Sequence, residues 1–245
     1  MKIIHITGDS HPENNTAIAE FIEKLSVLNP GKNGVICDSG AEELPESKCN
    51  APYSAKVHDA GTIVAIKDGD LSGTLDLFSD SGIFYAIILG FEGLNYKKAV
   101  FGDFEAENCI LKDPSADEMI EALDKFDDHY TMQGLVKELK EEVDIPKTGC
   151  YLHFNGIVRE ITGEERTEYM DFSDYDYIDR IIAEIRKDME KVPGVLGVRF
   201  YHSKGRLYAS DDVTYIAVAA SHRQEAFKAM MDAIDRLKAE LHNKK

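Results

Sequence analysis

The run Val213 to Ala220, eight apolar or small residues and one of the most strand-like in the chain, passes directly into a long helical pattern through Ser221-His222-Arg223. A strand feeding a helix this abruptly fixes the local fold, and it also sets ionisable side chains beside a helix N-terminus, where unpartnered N–H groups favour anions. Ser221 and Gln224 have the S-x-x-Q spacing of a capping box, so the helix is expected to start at Ser221. Ala226, Phe227, Met230, Ala233, Ile234, Leu237 and Leu241 then recur every three or four residues, which predicts one buried face. Lys238 lies further along the same helix, sixteen residues from His222 and about 24 Å away if the helix is continuous.

Charge divides the chain in two. Residues 148–245 hold 15 Lys and Arg against 17 Asp and Glu, leaving 13 against 28 in the first 147, so most of the formal charge of −17 belongs to the N-terminal part. Such a surface repels nucleic acid and anionic membranes, so neither is expected as a partner. No apolar run approaches the roughly 20 residues of a membrane span, and no signal peptide opens the sequence, so a cytoplasmic protein is expected. Cys37, Cys49, Cys109 and Cys150 form no C-x-x-C pair, which points to a reducing compartment and no zinc site. Cys150 lies in a strand-like run and is expected to be packed rather than reactive.

Met1 to Thr7 reads as a buried strand, followed by a loop opening on Gly8 and a helix from Ala17 to Leu25. Strand, glycine loop, helix is the layout of a phosphate-binding loop, but Glu13 and Asn14 stand where G-x-x-x-x-G-K-[ST] needs glycine and lysine. Gly61–Ile66, Phe84–Gly90 and Ala99–Phe101 are further short apolar strands, and the alternation argues a parallel α/β layer. Asp113-Pro114 is expected to cap a helix running to Phe126, Asp127 to Tyr130 to be a polar break, and Met132–Val143 to be an amphipathic helix stopped by Pro146. Glu164-Glu165-Arg166 and Asp174 to Asp179 read as solvated loop or helix start. The expected division is a P-loop-like α/β domain over 1–130, a helical linker over 131–147 and a second domain over 148–245.

In the second domain, Phe154, Gly156, Val158 and Arg159 form F-x-G-x-V-R; His202, Gly205, Leu207 and Asp211 form H-x-x-G-x-L-x-x-x-D; and Ser221-His222-Arg223 follows. These segments resemble the catalytic (large) subunit of molybdopterin synthase, the MoaE family. Ser210 replaces that family's usual turn glycine, Glu160 replaces Asn, and the tail reads Glu240-Leu241-His242-Asn243-Lys244-Lys245 where the family has P-x-W-K. The resemblance implies an α+β fold of the α/β hammerhead kind and a transferase acting in molybdenum cofactor biosynthesis. Cyclic pyranopterin monophosphate would become molybdopterin, with sulfur from a MoaD-like small subunit bearing a C-terminal thiocarboxylate. It implies Lys238 and Lys245 as catalytic residues, Arg159, His222, Arg223 and Phe154 as substrate-binding residues, and no cofactor or metal. Because His222 and Lys238 are too far apart to touch one small pterin, a symmetric homodimer with shared pockets is expected, within a heterotetramer. A noncatalytic scaffold or adaptor in cofactor assembly is the alternative.

The first domain is similar to MobB, the GTP-binding accessory protein of the same pathway, over about residues 1–125. Leu89 in Ile88-Leu89-Gly90-Phe91 stands where that family's V-E-G-F has its carboxylate. With that acid and the loop lysine both missing, the expectation is a degenerate domain that keeps the fold without hydrolysing GTP.

Overall fold

The computed structural model describes residues 1–10, 13, 15–38, 53–58, 61–66 and 70–242. They fall into two compact units, Met1–His129 and Tyr130–Lys245.

The first unit is built on β1 (Lys2–Gly8), α1 (Thr16–Leu28), β2 (Asn33–Cys37), the pair β3 (Tyr53–His58) and β4 (Gly61–Ile66), α2 (Leu71–Ser81), β5 (Tyr85–Leu89), β6 (Lys98–Phe101), β7 (Cys109–Lys112), α3 (Ala116–Glu121) and β8 (Asp127–Asp128). Its main sheet has the order β2-β5-β1-β6-β7, and each of these neighbours is parallel. A parallel sheet is covered on both faces, which is why β1 is buried almost throughout. Ile4 and Ile6 pack with Phe21 and Leu25 of α1 and Met119 of α3, while Ile3 packs on the other face with Leu75 of α2. His5 and Thr7 share the α2 face and are fully buried; the His5 Nε2–H donates to the Gly90 carbonyl at 2.7 Å. Burial, more than the neighbouring Lys98 cation, pushes the His5 imidazole below its ordinary pKa.

Three expectations for this unit need correction. Gly61–Ile66 pairs antiparallel with Tyr53–His58 in a two-stranded sheet of its own, not in the parallel layer. The helix after Pro114 is capped by Ser115, not Asp113: Ser115 and Glu118 make a reciprocal capping box, while the Asp113 carboxylate accepts the Gly102 N–H instead. Asp127-Asp128 is a short strand antiparallel to the start of β1, held by the Lys2–Asp128 ion pair at 3.0 Å and by Asp127 accepting the Lys97 N–H at 2.7 Å.

The second unit comprises α4 (Met132–Glu142), β9 (Cys150–Ile157), the hairpin β10 (Ile161–Thr162) and β11 (Glu165–Arg166), β12 (Tyr169–Phe172), α5 (Tyr175–Glu190), β13 (Val195–His202), β14 (Gly205–Tyr208), β15 (Asp212–Ala220) and α6 (Arg223–Leu237). β15 is the centre of an antiparallel sheet, β13-β15-β9, and β12 pairs with β14. Alternation along β15 fixes the layers. Ile216, Val218 and Ala220 face α5 and α6, meeting Ile185, Met189, Met230 and Leu237, and Ala217 and Ala219 face α4, meeting Leu135, Val136 and Leu139. The stretch 131–147, expected as a helical linker, has its helix but is part of this unit, with α4 covering one face of the sheet. Its N-cap is Thr131, whose hydroxyl accepts the Gly134 N–H at 3.0 Å.

Candidate functional site

β9 and β15 run antiparallel, with Cys150 opposite Ala220 and Ile157 opposite Asp212. Arg159 follows the last residue pair of β9, where the Val158 N–H donates to Asp211 O at 2.9 Å and the Ser210 N–H to Val158 O at 3.0 Å. His222 and Arg223 follow the other end of β15. The two positions are thus separated by the length of the strand, roughly 25 Å at about 3.3 Å per residue.

α6 returns along the sheet. Its N-cap is His222, with extended backbone and no side-chain cap hydrogen bond, so the expected Ser221–Gln224 capping box does not form. Ser221 is committed elsewhere: its N–H donates to Gly194 O at 2.8 Å and its carbonyl packs against Gly149, so it closes the sheet rather than opening the helix. The first turn brings its own carboxylate, Glu225, against Gly194, in the position the helix dipole favours.

At its far end α6 passes into a single π turn, Lys238–His242. Leu241 in this turn packs on the cluster holding Val158, Phe172 and Leu207, and on the one bordered by Phe154. The turn is tied further by the Tyr177 hydroxyl donating to Glu240 O at 3.3 Å, and by Arg236, which donates to Glu240 and Asp188. Lys238 and Arg159 accordingly share one end of the unit, and His222 and Arg223 the other. All four are exposed, and none makes a side-chain hydrogen bond or ion pair among the described residues. Phe154 is half-buried on the α6 face of β9, opposite Ile216. Lys245 lies outside the described residues.

Phe227 departs from expectation. It was expected on the buried face of α6 but is 53% exposed, as is Met231 at 63%. Ala226, Ala229, Met230, Ala233 and Leu237 fill the buried stripe; Phe227 lies about a quarter turn or more away from its centre at 100° per residue.

The family model described as MoaE protein matches residues 131–240. A protein of Haloferax volcanii named "Probable molybdopterin synthase" is 30% identical over 215 residues, covering 82% of this chain and 82% of its own. The chain belongs to the MoaE family of molybdopterin synthase catalytic subunits. The catalytic subunit of Staphylococcus carnosus is 37% identical over 95 residues, 38% of this chain and 63% of that one. A solved molybdopterin synthase of Staphylococcus aureus, 32% identical, aligns with 42% of this chain and 75% of its own at a TM-score of 0.36. A match over 82% of this MoaE chain must extend well into the first unit, because the second begins only at Tyr130. The Haloferax protein therefore shares part of the first unit as well.

The described residues of the first unit place a carboxamide and carboxylates, not cations, around the end of β1 and the start of α1. The α1 N-terminus is already occupied: the Asn15 side-chain oxygen accepts the Ala17 and Ile18 N–H groups at 3.1 and 3.4 Å. A cavity of about 580 Å³ lies where β1, β2 and β5 end, and among the described residues its charged lining is the carboxylates Asp38 and Glu92. This is where open parallel sheets place ligands, but the charge is wrong for a nucleotide phosphate. Leu89, in the place of the expected acid, is buried with the apolar core.

Proposed function

We propose that this chain converts cyclic pyranopterin monophosphate to molybdopterin as a sulfurtransferase, taking sulfur from the thiocarboxylated C-terminus of a MoaD-like small subunit. The observation that carries this reading is the family match over 131–240, which contains Phe154, Arg159, His222, Arg223 and Lys238. Arg159 and Arg223 supply planar donor forks for phosphate oxygens. His222 contributes a further donor or moves a proton. With Glu225 already at the first turn, phosphate binding falls on these side chains rather than on the helix N–H groups.

Lys238, with Lys245 from the tail, supplies ammonium groups for the oxyanion that forms as the thiocarboxylate is attacked, and for proton transfer as ring oxygen gives way to sulfur. Two thiocarboxylates are consumed per product, and each tail leaves as a carboxylate. Since Lys238 and Arg159 sit roughly 25 Å from His222 and Arg223, one small pterin cannot touch both groups within a chain. The site is therefore shared between two copies, each giving one end.

The first unit, in this reading, is a degenerate MobB-like domain that serves contact or substrate handover without GTP hydrolysis. The shared site is tested by mixing Arg223→Ala and Lys238→Ala chains. Each is expected to be inactive alone, and the mixture to regain activity through the one pocket per heterodimer that keeps both residues. No rescue in verified heterodimers would refute sharing.

A further inference from the structure

Lys238 opens the π turn Lys238–His242, is exposed, and makes no side-chain hydrogen bond or ion pair among the described residues. A lysine is a point charge on a flexible stem, so the backbone that carries Lys238 decides where its ammonium can reach. Single π turns inside helices are rare and concentrate at functional sites. This one is held at Glu240 from two sides. The Glu240 carbonyl accepts the Tyr177 hydroxyl of α5 at 3.3 Å, and the Glu240 carboxylate accepts the Arg236 Nε–H at 2.9 Å. The same guanidinium donates its Nη1–H to Asp188 of α5 at 2.6 Å, and Asp188 also accepts from the Lys191 ammonium at 2.6 Å. Tyr177 lies in the first turn of α5 and Asp188 in its last. The end of α6 is therefore tied to α5 at two points about 17 Å apart at 1.5 Å per residue. Leu241 adds a third hold by packing with Val158, the residue before Arg159.

The geometry points to Tyr177, Arg236 and Glu240 as positioning residues for Lys238. They brace the π turn against α5 and hold Lys238 at the end of the unit that carries Arg159. They act through the backbone two residues from Lys238, not on the reacting atoms. The side chains of Glu240, Arg236 and Asp188 are 29%, 34% and 52% exposed. Exposed ion pairs add little to stability, so the effect of this network belongs in activity rather than in folding. A matched pair shows the contrast: Arg186 and Glu190 of α5 have the same i,i+4 spacing and the same 2.9 Å bond, but join no second helix among the described residues. The inference rests on the role proposed above for Lys238 and names what aims it.

The test is dithiolene formation by the full chain, in steady state and in single turnovers, with thiocarboxylated small subunit and cyclic pyranopterin monophosphate. Tyr177→Phe and Glu240→Ala are each expected to lower kcat about tenfold, the scale of a displacement below 1 Å, with KM within about twofold of wild type. Alanine is the best helix former, so a loss in Glu240→Ala does not come from helix propensity. Glu190→Gln, which breaks the matched pair, should leave kcat unchanged. In the Lys238→Ala background neither Tyr177→Phe nor Glu240→Ala should slow the reaction further, whereas a general weakening of the fold would slow both backgrounds alike. Variants at wild-type kcat, or equal losses in both backgrounds, would overturn the brace while Lys238→Ala alone still shows its loss. A wild type that makes no dithiolene, or a Lys238→Ala chain as fast as wild type, would instead overturn the catalytic reading and the brace with it.

Discussion

Replacing Gly149 with Ala strikes the joint on which the α6 end of the site depends. An added Cβ would lie 2.0 Å from the Ser221 carbonyl oxygen and 3.0 Å from its carbon. Both are backbone atoms, so relief requires the start of β9 to part from the β15–α6 junction by more than 1 Å relative to an ordinary contact of about 3.4 Å. That movement also strains the bond from the Gly149 N–H to Ala220 O, 3.0 Å in the native structure. Overpacking costs about 1–3 kcal/mol and the hydrogen bond about 1 kcal/mol, giving a destabilisation of about 2–4 kcal/mol. Because Ser221 leads into His222 and Arg223, a shift near 1 Å should also lower activity by up to about a hundredfold.

Urea unfolding measures the first effect. The chain has 11 Tyr and no Trp, so tyrosine fluorescence and circular dichroism are the probes, and the transition of the second unit should move while that of the first stays. Gly93→Ala, whose added Cβ meets nothing within 4 Å, is the control and should change stability by less than about 0.5 kcal/mol. A Gly149→Ala midpoint no different from the control's would refute the close-packed joint.

Two further outcomes follow from the first unit. Burial holds His5 below its ordinary pKa, so below about pH 6.5 the unfolded chain takes a proton that the folded one refuses. Its contribution to stability is therefore complete above that pH and is lost as pH falls towards the folded value, by at most about 1.4 kcal/mol per pH unit; His5→Leu should remove this component from urea titrations, and an unchanged pH profile would contradict it. GTP titrated calorimetrically should give no binding at micromolar nucleotide, since Asn15 occupies the helix N-terminus and Asp38 and Glu92 line the cavity; micromolar affinity would refute the degenerate-loop reading.

Elements marked by local periodicity are legible in the sequence. β1, α4 and the run from β15 into α6 fall where the apolar spacing puts them: α4 and α6 each bury one apolar face, and β1 and β15 are covered on both. Features decided by partners distant in sequence were not. Ser221 looks like a cap until the distant Gly194 carbonyl takes its N–H. Two adjacent aspartates look like a break until Lys2 lies beside Asp128. Gly61–Ile66 has the apolar character of a central strand, and nothing within it reveals that Tyr53–His58 is its neighbour.

The candidate site follows the same division. Its residue types and order were readable as motifs, and helix length alone separates His222 from Lys238, but placing Arg159 at the Lys238 end depends on the antiparallel register of β9 and β15 and on Leu241 pinning the π turn near Val158. Phe227 was misplaced because three- and four-residue spacing admits a wider buried stripe than α6 uses.

The measurement that bears most directly on the account is dithiolene formation from cyclic pyranopterin monophosphate and a thiocarboxylated small subunit, run with wild type beside Lys238→Ala. Wild type should turn substrate into molybdopterin while consuming two thiocarboxylates per product, and Lys238→Ala should be slower by about a hundredfold or more, as for loss of a group that stabilises an oxyanion. A wild type that makes no dithiolene, or a Lys238→Ala chain as fast as wild type, would contradict it.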